Sequence, residues 1–130
     1  MTKLLCKVVG VFYVVIGLAG LVFAGEADRA HNTLHFLSGL FALYGGFVAS
    51  REWAARICLI FGGGYLAFGA LGIASGDPAA DRMWDIGILR VGAGDHIHHL
   101  VLGSIVLAAG LIANRRDAQL PTGRRASLRS

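Results

Sequence analysis

The sequence predicts an all-α fold, an integral membrane bundle of four transmembrane helices arranged as two tandem helical hairpins. Composition predicts the membrane class, because 55% of the 130 residues are hydrophobic and only 15% are charged. Soluble domains have about a quarter of their residues charged. The mean hydropathy of +0.64 points the same way. An internal repeat, described below, predicts the two hairpins.

Four apolar segments predict the helices, at residues 4–24, 34–50, 54–74 and 97–113. Each is close to the roughly 20 residues that cross a hydrocarbon core about 30 Å thick. Only short polar stretches separate these segments. We therefore expect one transmembrane domain over residues 1–113, followed by a basic cytoplasmic tail over residues 114–130.

The basic residues predict how the helices are oriented. Apart from Arg29, Arg82 and Arg90 in the other two loops, they lie at both ends of the chain and between the second and third segments: Lys3, Lys7, Arg51, Arg56, Arg115, Arg116, Arg124, Arg125 and Arg129. If all four helices cross, these positions share one side, and the positive-inside rule places both termini in the cytoplasm. Despite a net charge of +4, we expect the Arg-rich tail to contact anionic lipid headgroups rather than nucleic acid.

The two halves of the chain repeat each other. The first and third helices align at an offset of 52 residues, with identities at Cys6 and Cys58, Gly10 and Gly62, Tyr13 and Tyr65, Gly17 and Gly69, and Gly20 and Gly72. The second and fourth align at an offset of 64, with identities at His35 and His99, Gly39 and Gly103, Leu43 and Leu107, and Gly46 and Gly110. Because each unit holds two helices, the copies cross in the same sense. This predicts a pseudo-twofold axis along the membrane normal.

Small residues follow one face of every helix and predict close packing in lipid. The predicted helix-packing glycines are Gly17, Gly39, Gly46, Gly69, Gly103 and Gly110. On the second and fourth helices this face also carries histidines, whereas His98 is predicted to point away from it. The longer loop before the fourth helix contains Trp84 among charged residues, which predicts a short interfacial segment.

The histidines on these faces predict a ligand site near the outer membrane surface. His31 and His35 stand one helical turn apart, as do Asp95 and His99. Imidazole pairs suit zinc, copper, nickel or iron, and a carboxylate completes such a site or orients an imidazole. The candidate metal ligands are His31, His35, Asp95, His96 and His99.

Other interpretations of the same residues stay open. With no cofactor, which is the default expectation, the histidines form a structural polar cluster in which His35 and His99 hydrogen-bond across the bundle. Alternatively, His35 and His99 supply axial ligands to a haem or chlorin. A third possibility is proton transfer or pH sensing, because imidazole titrates near neutrality.

Three segments, HNTLHFLSGL, GGGYLAFGALG and AGDHIHHLVLG, resemble the small bacterial four-helix membrane proteins known as domain of unknown function 4383. That family has a His-Asn-x-x-His-x-x-x-Gly block in its second helix and an Asp-x-x-x-His block in its fourth. The matching residues here are His31, Asn32, His35, Gly39, Asp95 and His99. The resemblance extends to about residue 113. It implies a multi-pass protein of the bacterial inner membrane and brings no established activity.

The function we expect from the sequence is that of a non-catalytic accessory or scaffold subunit, which packs against itself or against other membrane subunits. No enzyme is expected, because Ser38 and Ser104 have no evident base or oxyanion arrangement. The alternative function is an outward-facing site for a transition metal, haem or chlorin. A small transporter or pH sensor is the third, since some transporters are built from parallel repeats.

Overall fold

The structure, a computed structural model, describes residues 1–23, 25 and 28–119, without the side chains of residues 117 and 118. These residues form α1 (Thr2–Phe23), α2 (Arg29–Phe47), α3 (Arg51–Ser75), β1 (Trp84–Ile86), β2 (Leu89–Val91) and α4 (Ala93–Ala118). The predicted helical class is confirmed, and a short antiparallel β-hairpin is added to it.

The helices begin earlier than the apolar segments, because polar residues at the segment edges also adopt helical backbone. α2 begins at Arg29 rather than residue 34, so His31 lies in its first turn. α3 begins at Arg51 rather than residue 54. The Ser50 hydroxyl accepts a hydrogen bond from the backbone N–H of Trp53 at 3.3 Å, which is a helix N-cap.

The fourth helix is longer than predicted at both ends. It begins at Ala93 and continues to Ala118, so residue 113 is not a helix end. Asp95, His96 and His98 therefore belong to regular helix, which fixes the directions in which their side chains can point. The predicted tail beyond residue 119 lies outside the described residues.

Within each helical hairpin, glycines set the spacing of the two helices. A Cβ atom on Gly17 would lie 2.5 Å from the backbone N of Phe36, and one on Gly39 would lie 2.5 Å from that of Val14. A side chain cannot fit where facing backbones approach so closely. Each predicted packing glycine meets the facing helix in this way: Gly17, Gly39, Gly46, Gly69, Gly103 and Gly110.

The glycine contacts of the second helical hairpin repeat those of the first at the offsets of the sequence repeat. Gly10 packs against Leu43, and its counterpart Gly62 packs against Leu107. In the same way, Gly20 packs against Asn32 and Gly72 against His96. On the facing helices, Gly39 packs against Val14 and Gly103 against Leu66. The α1–α2 and α3–α4 pairs are thus packed through the same positions. Contact between the two hairpins is less extensive than contact within each.

Many of the buried residues of the bundle are small, whereas its exterior is rich in large apolar side chains. Buried residues include Cys6, Ala42, Ala54, Ala55 and Cys58, whereas the exposed ones include Leu4, Val15, Phe23, Ile60 and Val101. In water such a surface would be unstable, since large exposed apolar patches associate. In lipid it is the expected arrangement, because small residues let helices pack closely.

Three helices, α1, α3 and α4, are long and apolar enough to cross a membrane. Among the described residues α2 does not meet the same criterion. Its first half carries the polar residues His31, Asn32 and His35, which lower its hydropathy. α2 nevertheless packs along α1 as α4 packs along α3, so it belongs to the bundle.

The segment predicted to be interfacial forms the β-hairpin that connects α3 to α4. Trp84 pairs with Val91 across the two strands, and the turn includes Gly87 with φ of 59°. Before the strands, the chain turns sharply at Arg82, whose φ is 54°. The Arg82 carbonyl then accepts a hydrogen bond from His96, which ties this connection to α4.

Candidate metal centre

Helices α2 and α4 bring three histidines together at the end of the bundle where these two helices begin. The ring centroids of His31 and His35, one turn apart on α2, are separated by 4.3 Å. The ring of His99, on α4, lies 6.1 Å from that of His31 and 6.2 Å from that of His35. One ring nitrogen from each residue lies within 4.8 Å of the other two. We call these residues the three-histidine cluster.

The cluster contains buried nitrogens without hydrogen-bond partners. Within the described part of the chain, no group pairs with His31 Nε2, His35 Nε2 or His99 Nδ1. An unpaired buried polar atom costs about 1–3 kcal/mol. Three such atoms on neighbouring side chains therefore form an unfavourable arrangement, unless a further group completes their interactions.

Aromatic rings surround the imidazoles of the cluster. Tyr65 of α3 stacks on His99 with ring centroids 5.0 Å apart, and Phe68 contacts the same imidazole edge-on at 5.2 Å. Tyr13 of α1 contacts His35 at 5.0 Å. Because His99 is only 3% exposed, its ring cannot turn into solvent without displacing these neighbours.

A cavity of about 330 Å³ adjoins the cluster, between the two helical hairpins. All three histidines contribute to its wall, together with Leu34, Ser38, Ile60, Phe61, Gly64, Tyr65, Phe68 and Leu89. Among the residues that the structure describes, none in the cavity wall is acidic. Leu34 and Ile60 are 47% and 66% exposed, so they stand where the cavity meets the apolar outer surface.

His96, a candidate ligand in the sequence, lies apart from the cluster. Its side chain is 0% exposed, its Nε2 lies 2.9 Å from the carbonyl oxygen of Arg82, and its ring packs on Gly72 of α3. Its Nδ1 has no partner among the described residues. Three residues along a helix correspond to a rotation of about −60°, so His96 packs on Gly72 of α3 while His99 lies between the histidines of α2 and the aromatic rings of α3.

Asp95, the other candidate outside the cluster, interacts with the start of α4. Its Oδ2 accepts a hydrogen bond from the backbone N–H of Gly92 at 3.0 Å. A carboxylate at this position also interacts favourably with the positive end of the helix dipole. Asp95 is not among the ligand atoms that converge. Of the five candidate ligands, the structure gathers His31, His35 and His99.

His98 makes a contact that the sequence analysis missed. Its Nε2 lies 2.9 Å from the hydroxyl oxygen of Tyr13, and its ring stacks on Phe12 at 5.8 Å. The hydrogen bond links α1 of the first hairpin to α4 of the second. Tyr13 indicates from the sequence that such a contact exists, because a hydroxyl within an apolar helix requires a polar partner.

The geometry of the cluster suits a metal ion with three protein ligands. Zinc binds imidazole nitrogen at about 2.0–2.1 Å, and tetrahedral coordination puts ligand nitrogens roughly 3.3 Å apart. Separations of up to 4.8 Å exceed that value by about 1.5 Å, so the site would close by side-chain rotation at His31 and His35, which are less buried than His99. The adjoining cavity, which the same three histidines line, would offer space for a further ligand of such an ion.

No family model, curated protein or solved structure matches this chain. The resemblance to domain of unknown function 4383 stays a prediction. The three-histidine cluster and the adjoining cavity are accordingly the features from which we infer a function.

Proposed function

We propose that this chain is a small integral membrane protein that binds one divalent transition-metal ion through His31, His35 and His99. The observation that carries the proposal is the convergence of three histidines, each of which has a buried ring nitrogen without a hydrogen-bond partner among the described residues. A bound ion supplies the electron-pair acceptor that these nitrogens lack. Zinc and copper are the first ions to test, because three imidazoles without a thiolate suit both.

A purely structural polar cluster accounts for the three histidines less well. In such a cluster each ring nitrogen bonds a neighbouring side chain, as His98 does with Tyr13. His31, His35 and His99 each keep a buried nitrogen outside any hydrogen bond among the described residues. Metal coordination removes that energetic penalty at all three positions at once.

A haem or chlorin held between His35 and His99 is also less well supported. Axial ligation employs two imidazoles and leaves His31 Nε2 unpaired. Tyr65 and Phe68 pack directly against His99, in space that a macrocycle bound to this imidazole would need. A single ion uses all three histidines and requires no such space.

We further propose that all four helices cross a bacterial inner membrane with both termini in the cytoplasm. Lys3, Arg51 and Arg116 line one cavity at the end of the bundle where α1 and α3 begin, and the positive-inside rule places such an end in the cytoplasm. Anionic lipid headgroups are the expected partners of this end. The three-histidine cluster then lies toward the outer surface, near the interface.

The proposed relationship between the two helical hairpins is a pseudo-twofold axis along the membrane normal. Its support is the recurrence of the same glycine contacts in both hairpins, together with the sequence repeat. Under this symmetry His35 and His99 are equivalent, whereas His31 has no equivalent histidine, because its counterpart at the same offset is Asp95. The proposed metal centre therefore does not follow the symmetry of the helices, because only the first hairpin has a histidine at this position.

The second candidate function is that of a non-catalytic accessory or scaffold subunit. One observation favours it: a groove of about 550 Å³ between α1 and α4 is lined by apolar residues that include Val8, Phe12, Val101 and Ile105. A neighbouring subunit or a second copy would cover this surface. Light scattering in mild detergent tests the idea. A complex larger than one chain supports it, and a single chain without companions counts against it.

The metal content of the purified protein tests the main proposal. After treatment with a chelator, zinc loading and gel filtration, the wild-type protein should retain about one ion per chain. His31→Ala, His35→Ala and His99→Ala should each lose most of the zinc. His98→Ala is the matched control, since it removes a neighbouring imidazole outside the cluster, and it should retain the ion. A wild-type protein without zinc, or equal loss in the control, would contradict the proposal.

A further inference from the structure

We propose that the cavity beside the three-histidine cluster binds the carboxylate end of a fatty acid, with the carboxylate occupying the fourth coordination position of the metal. This inference rests on the proposed metal site and adds the chemical class of its ligand. The charge of the site, the character of the cavity wall and the position of the cavity each support this ligand.

Charge favours an anionic ligand. Imidazole ligands are neutral, so a divalent ion bound to three of them keeps a net charge of about +2. The described part of the cavity wall offers no acidic side chain, and the Oδ2 of Asp95 accepts a hydrogen bond from the backbone N–H of Gly92. An uncompensated charge in apolar surroundings is costly, and an anion at the open position relieves that cost.

The cavity wall favours an anion with an apolar body. Leu34, Ile60, Phe61, Phe68 and Leu89 supply most of the surface beyond the histidines. Ser38 and Tyr65 also contribute hydroxyl groups to that wall, and a hydroxyl can donate a hydrogen bond to a carboxylate oxygen that the metal leaves free. A small hydrophilic anion would leave the apolar surface uncovered.

The position of the cavity favours entry from the bilayer. It lies between the two helical hairpins, and the partly exposed Leu34 and Ile60 join its wall to the outer apolar surface. A volume of about 330 Å³ is near the lower end of ligand pockets, which run from roughly 300 to 1,000 Å³. The head and the first part of an acyl chain would occupy the cavity, while the remainder of the chain lies in lipid.

Two glycines of α3 make the proposal testable with a matched pair of variants. Gly64 lines the cavity, and a Cβ atom added there meets no atom within 4 Å, so Gly64→Leu places a bulky side chain at the cavity wall without a clash at its Cβ. Gly63 also has open space around an added Cβ, and it does not contribute to the cavity wall. Gly63→Leu therefore controls for the change of residue type at a neighbouring position.

The experiment measures binding of laurate and of dodecanol, which has the same chain length without the charge, to the full-length protein in detergent, with and without zinc. We expect the zinc-loaded wild type to bind laurate at least about tenfold more tightly than the zinc-free protein does, and to show no such gain for dodecanol. Gly64→Leu should lose that gain while retaining zinc, and Gly63→Leu should keep it.

The possible outcomes separate the two proposals. If zinc binds and laurate affinity is the same with and without it, or equal for laurate and dodecanol, the fatty-acid inference is overturned and the metal site stands. Should Gly64→Leu misfold, the comparison of laurate with dodecanol in the wild type still decides. If no zinc binds, the proposed metal site fails and this inference fails with it.

Discussion

Tyr13 and Tyr65, which correspond in the sequence repeat, stack on each other between the two helical hairpins with ring centroids 5.5 Å apart. Two other corresponding pairs also meet. The sulfur atoms of Cys6 and Cys58 lie 3.6 Å apart, and the rings of His35 and His99 lie 6.2 Å apart. A twofold axis brings a residue into contact with its own counterpart only when that residue lies close to the axis. Contacts between corresponding residues are therefore what the proposed pseudo-twofold axis predicts for the centre of the bundle.

The close approach of α3 and α4 predicts different effects for two adjacent glycines. In Gly62→Ala the new Cβ would collide with the backbone N of Leu107, so the helices must separate, and we expect a loss of about 1–3 kcal/mol of unfolding free energy. Gly63→Ala introduces no contact within 4 Å and should be neutral or stabilising, because alanine has the higher helix propensity. Reversible unfolding in mixed micelles measures both, and equal effects would contradict the packing.

The separate location of His96 predicts that its loss affects stability but not metal binding. His96→Ala removes the hydrogen bond to the Arg82 carbonyl and a fully buried ring. We expect a cost of about 1–3 kcal/mol, with the zinc content unchanged. Thermal unfolding and metal analysis of the same sample check both. Loss of zinc in a variant that remains folded would contradict this prediction and show that His96 is needed for zinc binding.

The hydrogen bond between Tyr13 and His98 predicts an energetic coupling between the first and second helical hairpins. In a double-mutant cycle with Tyr13→Phe and His98→Ala, we expect a coupling energy of about 0.5–1.5 kcal/mol. Unfolding free energies of the two single variants and the double variant give this value. Additive effects, within about 0.3 kcal/mol, would indicate that the two side chains do not interact.

The proximity of the two thiols predicts an intramolecular disulfide on oxidation. Cys6 and Cys58 are buried with their sulfur atoms 3.6 Å apart. A membrane-permeant azo oxidant such as diamide should take two electrons and two protons from the pair and become a hydrazine. We expect maleimide labelling of the unfolded chain to fall from two thiols to none, without covalent dimers.

The control for this oxidation is Cys58→Ser, in which Cys6 has no internal partner and should stay reactive after diamide treatment. Persistence of both thiols in the oxidised wild type, or a disulfide-linked dimer, would show that the two hairpins do not dock as described. The result bears on the packing of the bundle and is independent of metal binding.

Much of the architecture was predictable because it follows from the order of apolar, polar and small residues along the chain. Apolar length identified the helices, and small residues at helical spacing identified Gly17, Gly39 and Gly103 as contact points. The helix boundaries were less predictable, because hydropathy marks where lipid contact ends rather than where backbone hydrogen bonding ends. This is why His31 lies within α2 although the apolar segment begins at residue 34.

The candidate site was predicted only in part, because side-chain direction depends on more than helical spacing. His31, His35 and His99 converge, whereas His96 turns toward the Arg82 carbonyl, a partner created by the sharp turn before the β-hairpin. His98 was predicted to point away from the packing face, but the second helical hairpin contacts α1 as well as α2, so Tyr13 is within reach. Neither partner is adjacent in sequence, and neither follows from periodicity.

X-ray absorption at the zinc edge of the loaded protein tests the central claim most directly. The metal site described here predicts a first shell of nitrogen and oxygen atoms at about 2.0–2.1 Å, with outer-shell scattering from three imidazoles. The same three-imidazole contribution should be present in His98→Ala, which keeps all three ligands. A shell containing sulfur at about 2.3 Å, or one without imidazole scattering, would contradict coordination by His31, His35 and His99.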